Sequence, residues 1–79
     1  MAEKRILVVD DSSSIRELLK LALEGENYNV IMGEDGLNAL KHLDGTHFDL
    51  VITDLHMPNM NGMELIHEIR KINQYKYTP

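Results

Sequence analysis

The sequence predicts an α/β protein with a parallel sheet, on three observations. Short apolar runs rich in β-branched residues, Ile6–Val9 and Leu50–Ile52, have the composition of strands buried on both faces. Segments with apolar residues at helical spacing alternate with the strand candidates, strand then helix, three times over. The first and third strands both stop at acid, Asp10-Asp11 in one case and Asp54 in the other. Each crossover is expected to be right-handed.

The elements follow in order. After Ile6–Val9, the run Asp10-Asp11-Ser12-Ser13-Ser14 breaks the strand, and Ser14 with Glu17 has the spacing of a capping box. Ile15, Leu18, Leu19, Ala22 and Leu23 then form one apolar stripe, and Gly25 is a natural stop. Tyr28–Met32 reads as the second strand. Asp35 is placed to cap a second helix with Leu37, Leu40 and Leu43 inward, ended by Asp44-Gly45-Thr46. Phe48–Thr53 is the third strand. A loop containing Pro58 follows, and Asn61 with Glu64 repeats the cap-plus-acid spacing before Leu65, Ile66, Ile69 and Ile72. Residues Asn73–Pro79 show no clear period.

Length and charge narrow the function. Seventy-nine residues allow a single domain, and a chain of that size buries only about 60% of the surface its unfolded form exposes. The absence of cysteine excludes disulfides and fits a reducing, cytoplasmic setting. A net charge of −5 without a basic patch argues against nucleic acid as a partner. No apolar run approaches a membrane span, and Met1–Arg5 opens no leader-like stretch. A dinucleotide site is excluded because no glycine-rich turn follows the first strand.

Ligands of open parallel sheets bind beyond the carboxyl ends of the strands. If the first and third strands are neighbours, Asp10, Asp11 and Asp54 converge there. Three like charges in one place cost stability unless a cation or a proton offsets them, and a hard oxygen-seeking ion such as Mg2+ suits carboxylates. Helix capping alone explains an aspartate after a strand. It explains less well three acids at two strand ends, followed by Pro58 and Gly62.

The segments Ile6-Leu7-Val8-Val9-Asp10-Asp11-Ser12, Asp35-Gly36-Leu37-Asn38-Ala39-Leu40 and Asp49–Gly62 together resemble the receiver domains of response regulators. The last is the most specific, since an acceptor aspartate, a proline and a glycine fall at the family's spacings. The stretch Glu64–Pro79 is most similar to stand-alone chemotaxis-type receivers. The resemblance implies a flavodoxin-like fold with strand order 2-1-3. It implies Asp54 as acceptor of a phosphoryl group from a histidine kinase, and Mg2+ held by Asp10, Asp11, Asp54 and the backbone carbonyl of His56. The remaining histidines, His42, His47 and His67, lack paired metal spacing and are expected at the surface.

Receivers continue with two further strands and two further helices, whose ends supply a Ser/Thr and a Lys to the phosphorylated site. Residues 1–79 are therefore expected to form a single truncated receiver domain, a (βα)3 half. Phosphotransfer is expected to be impaired, the chain is not expected to act as an enzyme, and the exposed third strand is expected to pair into a homodimer. The alternative is a self-associating scaffold without phosphotransfer. An aspartyl-phosphate phosphatase fails, because neither Asp10 nor Asp54 is followed two residues later by a second aspartate.

Overall fold

In the computed structural model, residues 4–79 are described. Residues 1–3, part of the segment read as lacking a leader, lie outside them. The order is β1 (Arg5–Val9), α1 (Ser13–Glu24), β2 (Asn29–Gly33), α2 (Gly36–His42), β3 (Leu50–Thr53), α3 (Gly62–Lys71) and a 3-10 turn (Asn73–Tyr75). The three strands are parallel in the order β2-β1-β3, which is the flavodoxin-like arrangement expected. β1 is central, and after Arg5 it is apolar: Ile6, Leu7, Val8 and Val9 are all at most 3% exposed.

Strand alternation sends these four residues to opposite faces. Leu7 and Val9 join Ala39, Leu65, Ile69, Phe48 and Tyr75 beneath α2 and α3. Ile6 and Val8 join Val30 on the other face, against Leu19 and Leu23 of α1. Among the described residues, no helix is long and apolar enough to cross a membrane.

Several local expectations need correction. The cap of α1 is Ser12, not Ser14: the Ser12 hydroxyl accepts from Ile15 N–H at 3.3 Å, and Ser14 lies inside the helix. The Ser12 N–H is itself fixed by the Asp10 carboxylate at 2.9 Å, which sets the turn two residues earlier. The α1 stripe is narrower than its spacing suggests, because α1 lies over β1 and β2. Leu19 and Leu23 are half-buried, whereas Ile15, Leu18 and Ala22 are exposed. Leu37 is exposed rather than inward, and Ala39 takes the buried place because α2 lies close enough to Gly33 to admit only a small side chain.

The Asn73–Pro79 segment, read as aperiodic, is tightly held. The Tyr75 hydroxyl donates to Thr46 O at 2.6 Å and accepts from Gly45 N–H at 3.1 Å. The Arg70 guanidinium donates to the carbonyls of Tyr75, Lys76 and Thr78. These ties bring the chain back alongside β3, where Val51 N–H donates to Pro79 O at 2.9 Å. β3 is the outer strand opposite β2, and all four of its residues are half-buried.

Candidate functional site

The register of the sheet builds the site. Val9 pairs with Thr53, so Asp10 and Asp54 leave adjacent strands at the same level. Backbone bonds prolong the ladder past the strand ends: Asp54 N–H donates to Val9 O at 2.9 Å, and Asp10 N–H to Gly33 O at 3.1 Å. Carboxylate oxygens of Asp10, Asp11 and Asp54 consequently lie within 4.8 Å of one another. The three acids singled out in the sequence therefore meet at one place.

Two of the carboxylates are oriented by their own chain. Asp10 Oδ1 accepts from Ser12 N–H at 2.9 Å, and Asp54 Oδ1 from Leu55 N–H at 2.8 Å. Among the described residues, no hydrogen bond engages the second oxygen of Asp54. Two supporting residues went unseen in the sequence. Arg16 donates to the Asp10 backbone carbonyl at 2.6 Å, and the Thr53 hydroxyl donates to the Asp54 carbonyl at 2.9 Å. An arginine one turn into a helix carries no sequence signal of that kind.

The donor set fits a hard divalent cation. All the side-chain donors are carboxylate oxygens, the ligand type Mg2+ prefers, and Mg2+ commonly keeps waters beside one or two carboxylates. The three carboxylate oxygens lie close enough together, within 4.8 Å, that they could share one such ion directly or through its waters. His56 has an exposed side chain in the loop leaving Asp54 and is not one of the clustered side chains.

The loop from Asp54 to Asn61 is shaped by glycines at two contacts. A Cβ on Gly62 would overlap the Asp54 carbonyl oxygen, and Gly62 N–H closes on Leu55 O at 2.9 Å. A Cβ on Gly36 would meet Met60 Cβ at 2.7 Å, so the loop lies flat on the start of α2. The Asn61–Glu64 capping box forms in full, with bonds of 2.9 and 3.0 Å. Asp35 caps α2 as expected, accepting from Asn38 N–H at 2.8 Å, and also accepts from Asn59 Nδ2 at 3.0 Å. These two bonds, the Asn38 one foremost, hold its carboxyl below the usual carboxylate range.

The other histidines lie elsewhere. His47 and His67 are exposed as expected, whereas His42, in the last turn of α2, is half-buried. His47 Nε2 lies 3.0 Å from Asp49 Oδ1 at the opposite end of β3.

An open parallel sheet of order 2-1-3 with three carboxylates at its carboxyl edge defines the class to which comparison then assigns the chain. Residues 6–78 match the response regulator receiver domain family, and the chain belongs to that family, the receivers of two-component systems. It is 44% identical over 78 residues to the CAI-1 autoinducer sensor kinase/phosphatase CqsS of Vibrio cholerae, covering 98% of this chain and 11% of that protein. It is 42% identical over 69 residues to the transcriptional regulatory protein ResD of Bacillus subtilis, covering 87% of this chain and 29% of that one.

Among solved structures, chemotaxis protein CheY4 of Vibrio cholerae superposes with a TM-score of 0.95 at 40% identity, covering 99% of this chain and 65% of CheY4. Response regulator TrrA of Thermotoga maritima, solved in complex with Mg2+-BeF, gives a TM-score of 0.81 at 51% identity, covering 86% of this chain and 59% of TrrA. TrrA has also been solved in complex with the histidine kinase ThkA. The chain thus spans under two thirds of the length of each of these proteins.

Proposed function

We propose that the chain is a phosphoryl-accepting receiver module in which Asp54 is the acceptor and a histidine kinase phosphohistidine is the donor. The observation that carries this reading is the meeting of Asp10, Asp11 and Asp54 within 4.8 Å at the carboxyl edge of the sheet. The solved complexes of TrrA, with Mg2+-BeF and with a histidine kinase, support it by analogy.

Mg2+ would be held by Asp10, Asp11, Asp54 and the backbone carbonyl of His56, and when bound it supplies positive charge where two anions must approach. The protein's own part is positioning. Leu55 N–H fixes Asp54 Oδ1, leaving Oδ2 to form the new bond to phosphorus. The nitrogen–phosphorus bond of the donor breaks, its electron pair stays on the imidazole nitrogen, and solvent supplies the proton. The chain is consumed as acceptor rather than turning over a separate substrate.

Transfer to these 79 residues is expected to be slow. Among the described residues, no Lys or Arg side chain hydrogen-bonds to a carboxylate of the cluster, and Arg16 is engaged by the Asp10 carbonyl. One missing donor to transferring charge costs roughly 3 kcal/mol in comparable sites. The test is prolonged incubation with acetyl phosphate and Mg2+, followed by intact mass. One added phosphoryl group, absent in Asp54→Asn and absent with chelator, is expected. A chain that takes up none, and whose Asp54 amide resonance ignores both Mg2+ and beryllium fluoride, overturns the assignment.

A second reading, homodimerisation as a scaffold, is favoured by β3. Among the described residues its outer side is met by the Pro79 carbonyl alone among backbone partners, and a groove lined by Val51, Ile66 and Ile69 runs beside it. The Asp49 carboxylate turns back to Arg5 N–H of β1, so like charge does not guard that edge. A two-fold axis normal to the sheet would pair β3 with β3 of a second copy. Light scattering that finds only a 9.1 kDa species from micromolar to millimolar concentration rejects this reading.

A further inference from the structure

The loop that leaves Asp54 is gripped from outside by another element. Its sharpest backbone feature is Asn59, whose φ is 70°. Met60 N–H donates to Pro58 O at 2.7 Å around it. A three-residue turn closed in this way with positive φ at its centre is the rarer and more strained form of γ-turn. Asparagine is among the few residues with a side chain that visit positive φ readily.

The Asn59 side chain donates to Asp35 Oδ2 at 3.0 Å, while Asp35 Oδ1 takes Asn38 N–H at 2.8 Å. One carboxylate therefore starts α2 with one oxygen and holds the loop with the other. His56 lies between this tie and the Gly62–Leu55 closure at 2.9 Å.

We propose that Asn59 and Asp35 are positioning residues for the cation site: their hydrogen bond holds the Asp54–Asn61 loop, and with it the backbone carbonyl of His56, at the acidic cluster. The cation in this inference rests on the proposed function, whereas the anchoring rests on the loop geometry alone. A strained turn persists only while its surroundings over-determine it. Without the side-chain tie, Asn59 relaxes and the loop samples more conformations. The fraction with the ligating carbonyl in place falls, and apparent affinity falls with it. Partners that orient metal ligands are typically worth about 10–100-fold in affinity, and one exposed hydrogen bond belongs at the low end.

The test uses the whole chain with three variants. Asn59→Gly keeps the positive φ free of strain but removes the amide. Asn59→Asp sets two carboxylates face to face. Asn59→Asp combined with Asp35→Asn restores a donor–acceptor pair in the reverse sense. Mg2+ titration is followed through the Asp54 and His56 amide resonances, and hydrogen exchange of His56 and Met60 is measured without cation.

The expected result is a Kd for Mg2+ raised about tenfold in Asn59→Gly and more in Asn59→Asp, with recovery in the double variant. Faster cation-free exchange in Asn59→Gly, with an unchanged far-ultraviolet spectrum, is expected beside it. Unaltered affinity and exchange in Asn59→Gly, or a double variant no better than Asn59→Asp, overturns the proposal. No Mg2+ shift in the unaltered chain overturns the cation reading instead, and the exchange rates then still decide whether the pair anchors the loop.

Discussion

The carbonyl oxygen of Asp54 occupies the space a side chain at Gly62 would need, so the end of β3 and the first turn of α3 are in direct backbone contact. Replacing glycine in a helix by alanine ordinarily stabilises by roughly 0.5–1 kcal/mol. Here the sign reverses. Gly62→Ala must push α3 away from Asp54, and overpacking of this kind costs roughly 1–3 kcal/mol. A lower urea midpoint with unchanged slope is the expected readout.

The Tyr75 hydroxyl, buried at 1% exposure, serves Gly45 N–H and Thr46 O together. Tyr75→Phe strands both backbone groups, at a cost of about 1–3 kcal/mol. In a domain of this size each kcal/mol lowers Tm by roughly 4–8 °C. Tyr77→Phe is the control, since Tyr77 is 87% exposed and its change should leave Tm where it was.

Acid should loosen the fold through Asp49, Asp35 and Asp44. Asp49 is held below its ordinary value of 3.8 by Arg5 N–H first and His47 second, and Asp35 and Asp44 are lowered by their own turn and cap bonds. Lowered folded values mean that the stabilisation is present above the unfolded value and is lost as pH falls through it towards the folded one. Thermal unfolding between pH 5 and pH 2 should show this loss, with the pH slope shallower in Asp49→Asn.

Removal of one acid from the cluster should act in opposite directions with and without cation. Without Mg2+, Asp54→Asn relieves repulsion among three carboxylates within 4.8 Å, and Tm should rise. At Mg2+ a hundredfold above Kd, the unaltered chain should gain about 2.7 kcal/mol by mass action. Asp54→Asn and Asp11→Asn should gain much less. Parallel melting curves with and without Mg2+ check both signs.

The fold was legible because Ile6–Val9 and Leu50–Ile52 carry the composition of buried strands, and because two strand ends in acid have few purely structural explanations. The Asn61–Glu64 cap was legible for a similar reason: its spacing is a local rule. Ser12 was missed in favour of Ser14 because three consecutive serines offer the same cap chemistry, and the choice is made by the Asp10 carboxylate, a tertiary detail. Leu37 is exposed against expectation because the available room, which Ala39 takes, is set by Gly33 on another element. Asn59 and Arg16 carry no periodic or motif signal at all, since their partners are brought to them only by the folded chain.

The chain lacks tryptophan and has three tyrosines, of which Tyr75 alone is buried; Tyr28 is 36% and Tyr77 87% exposed. A phenol locked in an asymmetric setting dominates near-ultraviolet circular dichroism, whereas freely rotating ones contribute little. Tyr75 is bound to the turn that precedes β3, at the end of the strand away from Asp54. The molecule therefore carries a built-in optical gauge of its tertiary integrity, set at the far end of β3 from the acidic rim.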